Sequence, residues 1–278
     1  MKLAGAYMHV FLSGKLMLVS SYFSNILFTL EMPNQCQKRA DYYIFAVFNI
    51  SHCYKWIYTM AIRDIFDSSD KPQSWGNQFR NKRFEFLREK LDALPKPVRI
   101  LDIGGLESFW TNRGYGDNPD YQITILNLEK GKTSFSNFRS MAGNAMDLNG
   151  IADQEYDVSF SNSVIEHLYT LENQKRMASE IQRVGKYHFV QTPNKYFPVE
   201  PHYVLPFFDF LPAPVKYNVL IKTKLSRLKK WSHEDAKQYV DEIRLLSYSE
   251  YKTLFPESKM YKELFLGMVK SFTAHNFI

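Results

Sequence analysis

Asp102, Gly104 and Gly105 sit in the stretch VRILDIGGL, from Val98 to Leu106, an apolar and β-branched run that ends on an acid and two glycines. A buried parallel strand reads this way where it stops at a ligand. Glycine lets a ligand come close to the backbone, so a side chain at Gly104 is expected to intrude on it. Two polar side chains, Asn127 and Glu129, close the later run YQITILNLE, and Asn127 stands 22 residues after Gly105. A nucleotide-binding α/β unit places its ribose-binding side chain about 20 residues beyond the glycines, normally as an acid. His167 and His202 are the residues that can carry a proton if a bound substrate must lose one. Packing and helix capping compete for the same two histidines, and His188, inside a strand pattern, reads as structural.

The elements that must hold these residues alternate along the chain. Phe79 to Leu94 mixes charged and apolar residues at helical spacing before Pro95 and Pro97 stop it. A first strand covers Val98–Ile103, a second Tyr121–Leu128, and AGNAMDL, from Ala142 to Leu148, puts Asn144 in a loop. YDVSFSNSVIEH, from Tyr156 to His167, is a strand through Phe160 that ends in small polar residues and turns into a helix. Leu171 to Val184 has helical periodicity, and Tyr187 to Gln191 is a fifth strand stopped by Thr192-Pro193-Asn194. Such alternation implies a doubly wound, mainly parallel α/β sheet with its ligand at the carboxyl ends of the strands.

The 278 residues hold one large α/β domain with additions, and 45% hydrophobic residues are ordinary for a globular protein. A net charge of +6 and a pI near 9.0 permit an acidic substrate, anionic lipid or nucleic acid without selecting among them. Cys36 and Cys53 form neither a disulfide framework nor a zinc-ligand spacing, so no metal is expected and a reducing, cytoplasmic setting is the default. Residues 1–60 read as an apolar, helical extension outside the working domain of residues 61–278. Lys15 interrupts its first apolar stretch, which argues against a membrane span. Contact with a membrane surface, a signal peptide without an evident cleavage site, and a start of translation further in, at Met60, remain open for it. Asn49-Ile50-Ser51 matches a glycosylation acceptor by chance, lying in an apolar run.

Taken in order, LDIGG, ILNLE, GNAMDL, YDVSFSNSVIEHL and VQTPNKYFPVEPHYVLPF resemble the class I S-adenosylmethionine-dependent methyltransferases of the broad methyltransferase type 11 group. The resemblance runs from about Trp56 to the C-terminus. It implies a Rossmann-like, seven-stranded sheet whose last two strands form an antiparallel hairpin, Ser258–Gly267 and Val269–Phe277, joined at Gly267-Met268. It implies S-adenosyl-L-methionine as cofactor. Asp102 and the Gly104-Gly105 backbone would hold the methionine end, Asn127 with Glu129 the ribose, and Asn144 with Ala145 the adenine. Ser161, Asn162 and Ser163 would line the floor beneath the sulfonium. Asn127 and Asn144 stand where this group more often has Asp, and an amide cannot be a charged acceptor.

Residues 196–238 interrupt the alternation after the fifth strand, as an aromatic and proline-rich stretch followed by Lys216, Lys222, Lys224, Arg227, Lys229 and Lys230. In this fold such an insertion covers the open end of the cofactor site, which makes it the candidate acceptor lid with Tyr196, Phe197, Tyr203, Phe207, Phe208 and Phe210 as an apolar wall. The basic run reads first as a solvated helix face. Aromatics beside it also suit an anionic membrane surface touched through residues 216–231, and hence a lipid-linked acceptor besides a small molecule. Nucleic acid is not expected, since no RNA-binding module accompanies the charge. A nicotinamide-dependent oxidoreductase would want the complete G-x-G-x-x-G pattern, which Leu106 and Ser108 break. A non-catalytic nucleotide-binding protein of the same fold would account for the two amides.

Overall fold

The structure, a computed structural model, describes residues 9–12, 15–18, 75–200 and 202–278. The chain divides into two compact units, 1–60 and 61–278. In the first unit, β1 (His9–Leu12) and β2 (Lys15–Leu18) form an antiparallel pair. The rest of the expected helical extension, with Cys36, Cys53 and Asn49, lies outside the described residues. No helix among the described residues is long and apolar enough to cross a membrane.

The second unit is built on a sheet of seven strands among the described residues, ordered β10-β11-β7-β6-β3-β4-β5. These are β3 (Val98–Ile103), β4 (Tyr121–Asn127), β5 (Phe138–Ala142), β6 (Tyr156–Asn162), β7 (Gly185–Pro193), β10 (Lys259–Phe265) and β11 (Met268–His275). Strands β3 to β7 run parallel, and the β10–β11 hairpin is antiparallel to β7. This is a Rossmann-like α/β fold with the expected terminal hairpin. Chain order reverses between β3 and β6, which places a ligand crevice at their carboxyl ends. The hairpin turns at Leu266-Gly267, one residue earlier than its sequence implies, because both residues take positive φ (51° and 78°), as a two-residue turn matched to strand twist requires.

Side chains of β3 alternate between two cores. Leu101 and Ile103 face the side covered by α3 (Leu171–Val184) and α6 (Tyr248–Leu254), and pack with Met177, Ile181 and Tyr251. Val98 and Ile100 face α1 (Trp75–Asp92) and α2 (Glu107–Thr111), with Phe84, Leu87, Leu91 and Trp110. Burying each such aliphatic or aromatic side chain stabilises the fold by roughly 1.5–3 kcal/mol. Helix α3 begins where the Thr170 side chain accepts from the Asn173 N–H, and it runs directly into β7 at Gly185. A Cβ at Gly185 would lie 2.5 Å from Ser159 Oγ, so only glycine lets helix and strand join there.

The insertion leaves and rejoins the sheet at one point, where Asn194 bridges Leu246 and the Lys195 N–H donates to the Leu246 carbonyl at 3.1 Å. Between these ends lie β8 (Val199–Glu200), β9 (Leu205–Pro206), α4 (Ala213–Lys222) and α5 (His233–Glu242). Tyr203, Phe208, Leu220 and Trp231 are buried as a small core of its own, and the Tyr203 hydroxyl donates to the Tyr239 carbonyl at 2.9 Å. The aromatics of this stretch therefore divide. Phe197, Tyr203 and Phe208 are interior, while Tyr196, Phe207 and Phe210 are exposed. Of the basic run, Lys216 is held by Asp209 at 2.6 Å and Lys229 stands over the Trp231 ring.

Candidate functional site

Strand register brings the predicted positions into one row. Asp102 pairs with Ile125 on one side and Phe160 on the other, Asn127 with Ala142, and Asn162 with Gln191. The tips are also tied directly. Asn127 Nδ2 donates to the Gly105 carbonyl at 3.0 Å, and Ser161 Oγ donates to the Ile103 carbonyl at 3.2 Å. Ser163, at φ 56°, donates through Oγ to Gln191 Oε1 at 2.8 Å. Gly104, Leu106, Glu129 and Asn144 are exposed, Gly105, Asn127, Ala145, Asn162 and Ser163 are partly buried, and Ser161 is fully buried. Asn144 turns its side chain onto the Met146 N–H at 3.0 Å, which shapes the loop after β5.

Asp102 lies beneath the glycine turn rather than on its surface. Only 1% of it is exposed, its Oδ2 accepts from the Trp110 indole N–H at 2.7 Å, and its Oδ1 is buried without a hydrogen-bond partner. Burial pushes this carboxyl up to about 7, against the opposing pull of the Trp110 bond. A Cβ at Gly105 would fall 1.8 Å from Asp102 Oδ2, so glycine is required there by the acid itself. At Gly104, φ is +76° and a Cβ would meet Val164 Cγ2 at 2.6 Å. A side chain at Gly104 thus strikes the protein before it reaches any ligand. Leu106 takes extended backbone (φ −126°), so the turn does not require a glycine at that position.

The two histidines meet. His167 follows β6 in a short 3₁₀ turn (Ile165–His167), and His202 comes from the turn between β8 and β9. Their Nε2 atoms are 3.0 Å apart, with the rings edge to face. The Nδ1 of His167 lies 2.6 Å from Glu242 Oε1, at the end of α5. Glu166 is fully buried, accepts from the Thr192 hydroxyl at 3.1 Å through Oε2, and leaves Oε1 without a hydrogen-bond partner. Burial raises the Glu166 carboxyl above the ordinary range, with His202 and His167 pulling it back. His188 is structural in its contacts, with Nε2 at 2.6 Å from Ser258 Oγ.

Trp110, Glu166 and Glu242 escaped the sequence reading. Glu166 carried a signal, since it directly precedes His167 in VIEH, but Trp110 and Glu242 are defined only by the fold.

No family model matches the chain. Two curated relatives, both uncharacterized proteins of Mycobacterium tuberculosis strains, are 28% identical over 138 residues. The match covers 45% of this chain and 45% of each relative, so the chain spans less than half the length of the curated relatives it matches. Among solved structures, a SAM-dependent methyltransferase from Aquifex aeolicus is 12% identical, with 81% of this chain and 96% of that chain covered at a TM-score of 0.41. One from Methanosarcina mazei is 12% identical, with 66% and 93% covered and a TM-score of 0.39. The CurJ carbon methyltransferase is 11% identical, with 78% and 57% covered and a TM-score of 0.47. At these scores the likeness carries no argument of its own, and the sheet order and strand register define the scaffold.

Proposed function

We propose that the chain is an S-adenosylmethionine-dependent methyltransferase acting on a small-molecule or lipid-linked acceptor. The observation that carries this reading is the glycine turn at the point where strand order reverses, tied to the tips of β4 and β6 by Asn127 and Ser161. The buried, unpartnered Oδ1 of Asp102 fits the cationic end of such a cofactor, which would favour the ionised carboxylate. In this reading Gly104 and Gly105 offer backbone to the methionine end, with Asp102 bracing them from below. Asn127 and Glu129 take the ribose, Asn144 and Ala145 the adenine, and Ser161, Asn162 and Ser163 the floor.

When bound, the cofactor supplies an activated methyl group, so the protein's task is to align a nucleophile and exclude water. Residues 196–238 serve as the lid, with Tyr196, Phe207 and Phe210 the aromatic surface available to an apolar acceptor. The His167–His202 pair, oriented by Glu242, is the group that can hold a proton released by the acceptor. One contact favours the runner-up, a nucleotide-binding protein without turnover: the Asn127 amide is already engaged by Gly105.

Calorimetry with S-adenosylhomocysteine and with NAD, followed by tritiated-methyl transfer to fractionated extract, tests the proposal. Binding of the former alone, with label transferred, is the expected result. Binding without transfer supports the non-catalytic reading, and NAD binding alone would overturn the assignment.

A further inference from the structure

We infer that Glu166, His167 and His202 form a three-ligand site for a divalent first-row cation. Their ligating atoms lie within 4.8 Å of one another. The orientation of His167 supports this. Its Nδ1 sits 2.6 Å from the Glu242 carboxylate, which can only accept, so Nδ1 carries the hydrogen and Nε2 presents a lone pair. A carboxylate behind the far ring nitrogen is how metal-ligating histidines are held. The spacing of the two rings agrees. The two Nε2 atoms are 3.0 Å apart. Metal–nitrogen bonds of about 2.0–2.1 Å place neighbouring ligand atoms about 2.9 Å apart at a right angle and about 3.3 Å apart at a tetrahedral one.

A buried acid lies beside the two rings. Glu166 is 0% exposed and its Oε1 has no hydrogen-bond partner, a costly arrangement that a cation bound to that oxygen would relieve. The backbone is fixed on both sides, since the Arg244 N–H donates to the Glu166 carbonyl at 2.8 Å and Arg227 Nε donates to the His202 carbonyl at 2.8 Å. Two imidazoles and one carboxylate suit zinc, cobalt, manganese or iron, and leave coordination positions for water or a substrate oxygen. The ion would take the place of the direct Nε2–Nε2 contact between the two imidazoles. The site does not depend on the methyl-transfer reading, because a cation can bind here whatever the chain transfers.

The test uses the full chain without a polyhistidine tag, stripped with chelator and titrated with Co²⁺ under visible absorption and with Zn²⁺ by calorimetry. One equivalent per chain is expected, with ligand-field bands from cobalt. Glu166→Gln, which keeps its shape and its Thr192 contact, and His202→Ala should each lower affinity at least a hundredfold while the protein stays folded by circular dichroism. Glu242→Gln should weaken binding by about 10–100-fold and keep the cobalt spectrum, as a residue that orients a ligand does. Absence of saturable binding in the folded wild-type chain, or an unchanged cobalt spectrum in His202→Ala, would overturn the assignment and leave the cluster as a pin holding the insertion.

Discussion

At the tips of β3, β4 and β6 each polar group stands on a strand or within one turn of it, and is placed by register. The cluster that includes His202 is assembled from four separate places: the turn after β6, the end of β7, the β8–β9 turn and the end of α5. The first region is fixed by backbone pairing between buried strands. The second is held by side-chain bonds and isolated backbone bonds rather than by a continuous ladder. A scaffold with both can keep its strand tips constant while the insertion varies, which is how one fold serves many acceptors.

The largest expected effect breaks the first region alone. Gly105→Ala drives a methyl into the Asp102 carboxylate, which Trp110 holds in place, and should cost about 3 kcal/mol or more. His202→Ala removes a partly buried ring from the insertion and should cost less than about 1 kcal/mol. Urea unfolding of both variants checks the contrast, and equal losses would mean the two regions form one cooperative frame.

Next is the ion pair between Arg83 on α1 and Glu263 on β10, 2.7 Å apart, with side chains 9% and 3% exposed. Glu263 also accepts from the Ser271 hydroxyl. Arg83→Met removes the acid's direct ion-pair partner, leaving it the Ser271 hydroxyl and the nearby charge of Lys270, and should cost about 3 kcal/mol. Lys216→Met, which breaks the Asp209 pair in the insertion, should cost about 1 kcal/mol. Thermal melts of the two variants measure the difference.

The same contrast explains how much was legible in the sequence. Helix α3 and strand β3 begin and end where their residue patterns place them. In each, a cap or a breaker meets a strong apolar period: Thr170 ahead of Met177, Ile181 and Val184, and Gly104 behind Leu101 and Ile103. Strand β5 carries no such pattern. Phe138 is the one buried residue among its five, so FRSMA has no strand period of its own and is defined as a strand by its pairing with β4. Asp102 and its glycines were visible as a motif. Its seal under Trp110 was not, because an indole eight residues away becomes a partner only when α2 folds back. The Glu166–His167–His202 cluster follows no ligand spacing, since 35 residues separate the two histidines and 75 separate His167 from Glu242.

Two further effects depend on pH. Burial holds His188 and His275 down at about 4 in the fold. A histidine whose pKa is depressed on folding contributes stability that is complete above about 6.5 and is lost as pH falls toward 4. Unfolding free energy should therefore drop across that window, by up to roughly 3 kcal/mol for His188 alone, and His188→Gln should flatten its profile against pH. Asp102, raised to about 7, makes ligand binding depend on pH. A ligand with a cationic end prefers the ionised acid, so the affinity for S-adenosylhomocysteine should fall by up to about tenfold per pH unit below 7. Asp102→Asn should remove that dependence, which calorimetry at several pH values can follow.

The most direct test is amide hydrogen exchange of the full chain with and without S-adenosylhomocysteine. Protection concentrated at residues 103–108, 127–129, 143–146 and 161–164, with the insertion changing less, is the predicted result. Saturating ligand that protects some other part of the chain, and leaves those four stretches exchanging as before, would contradict the account.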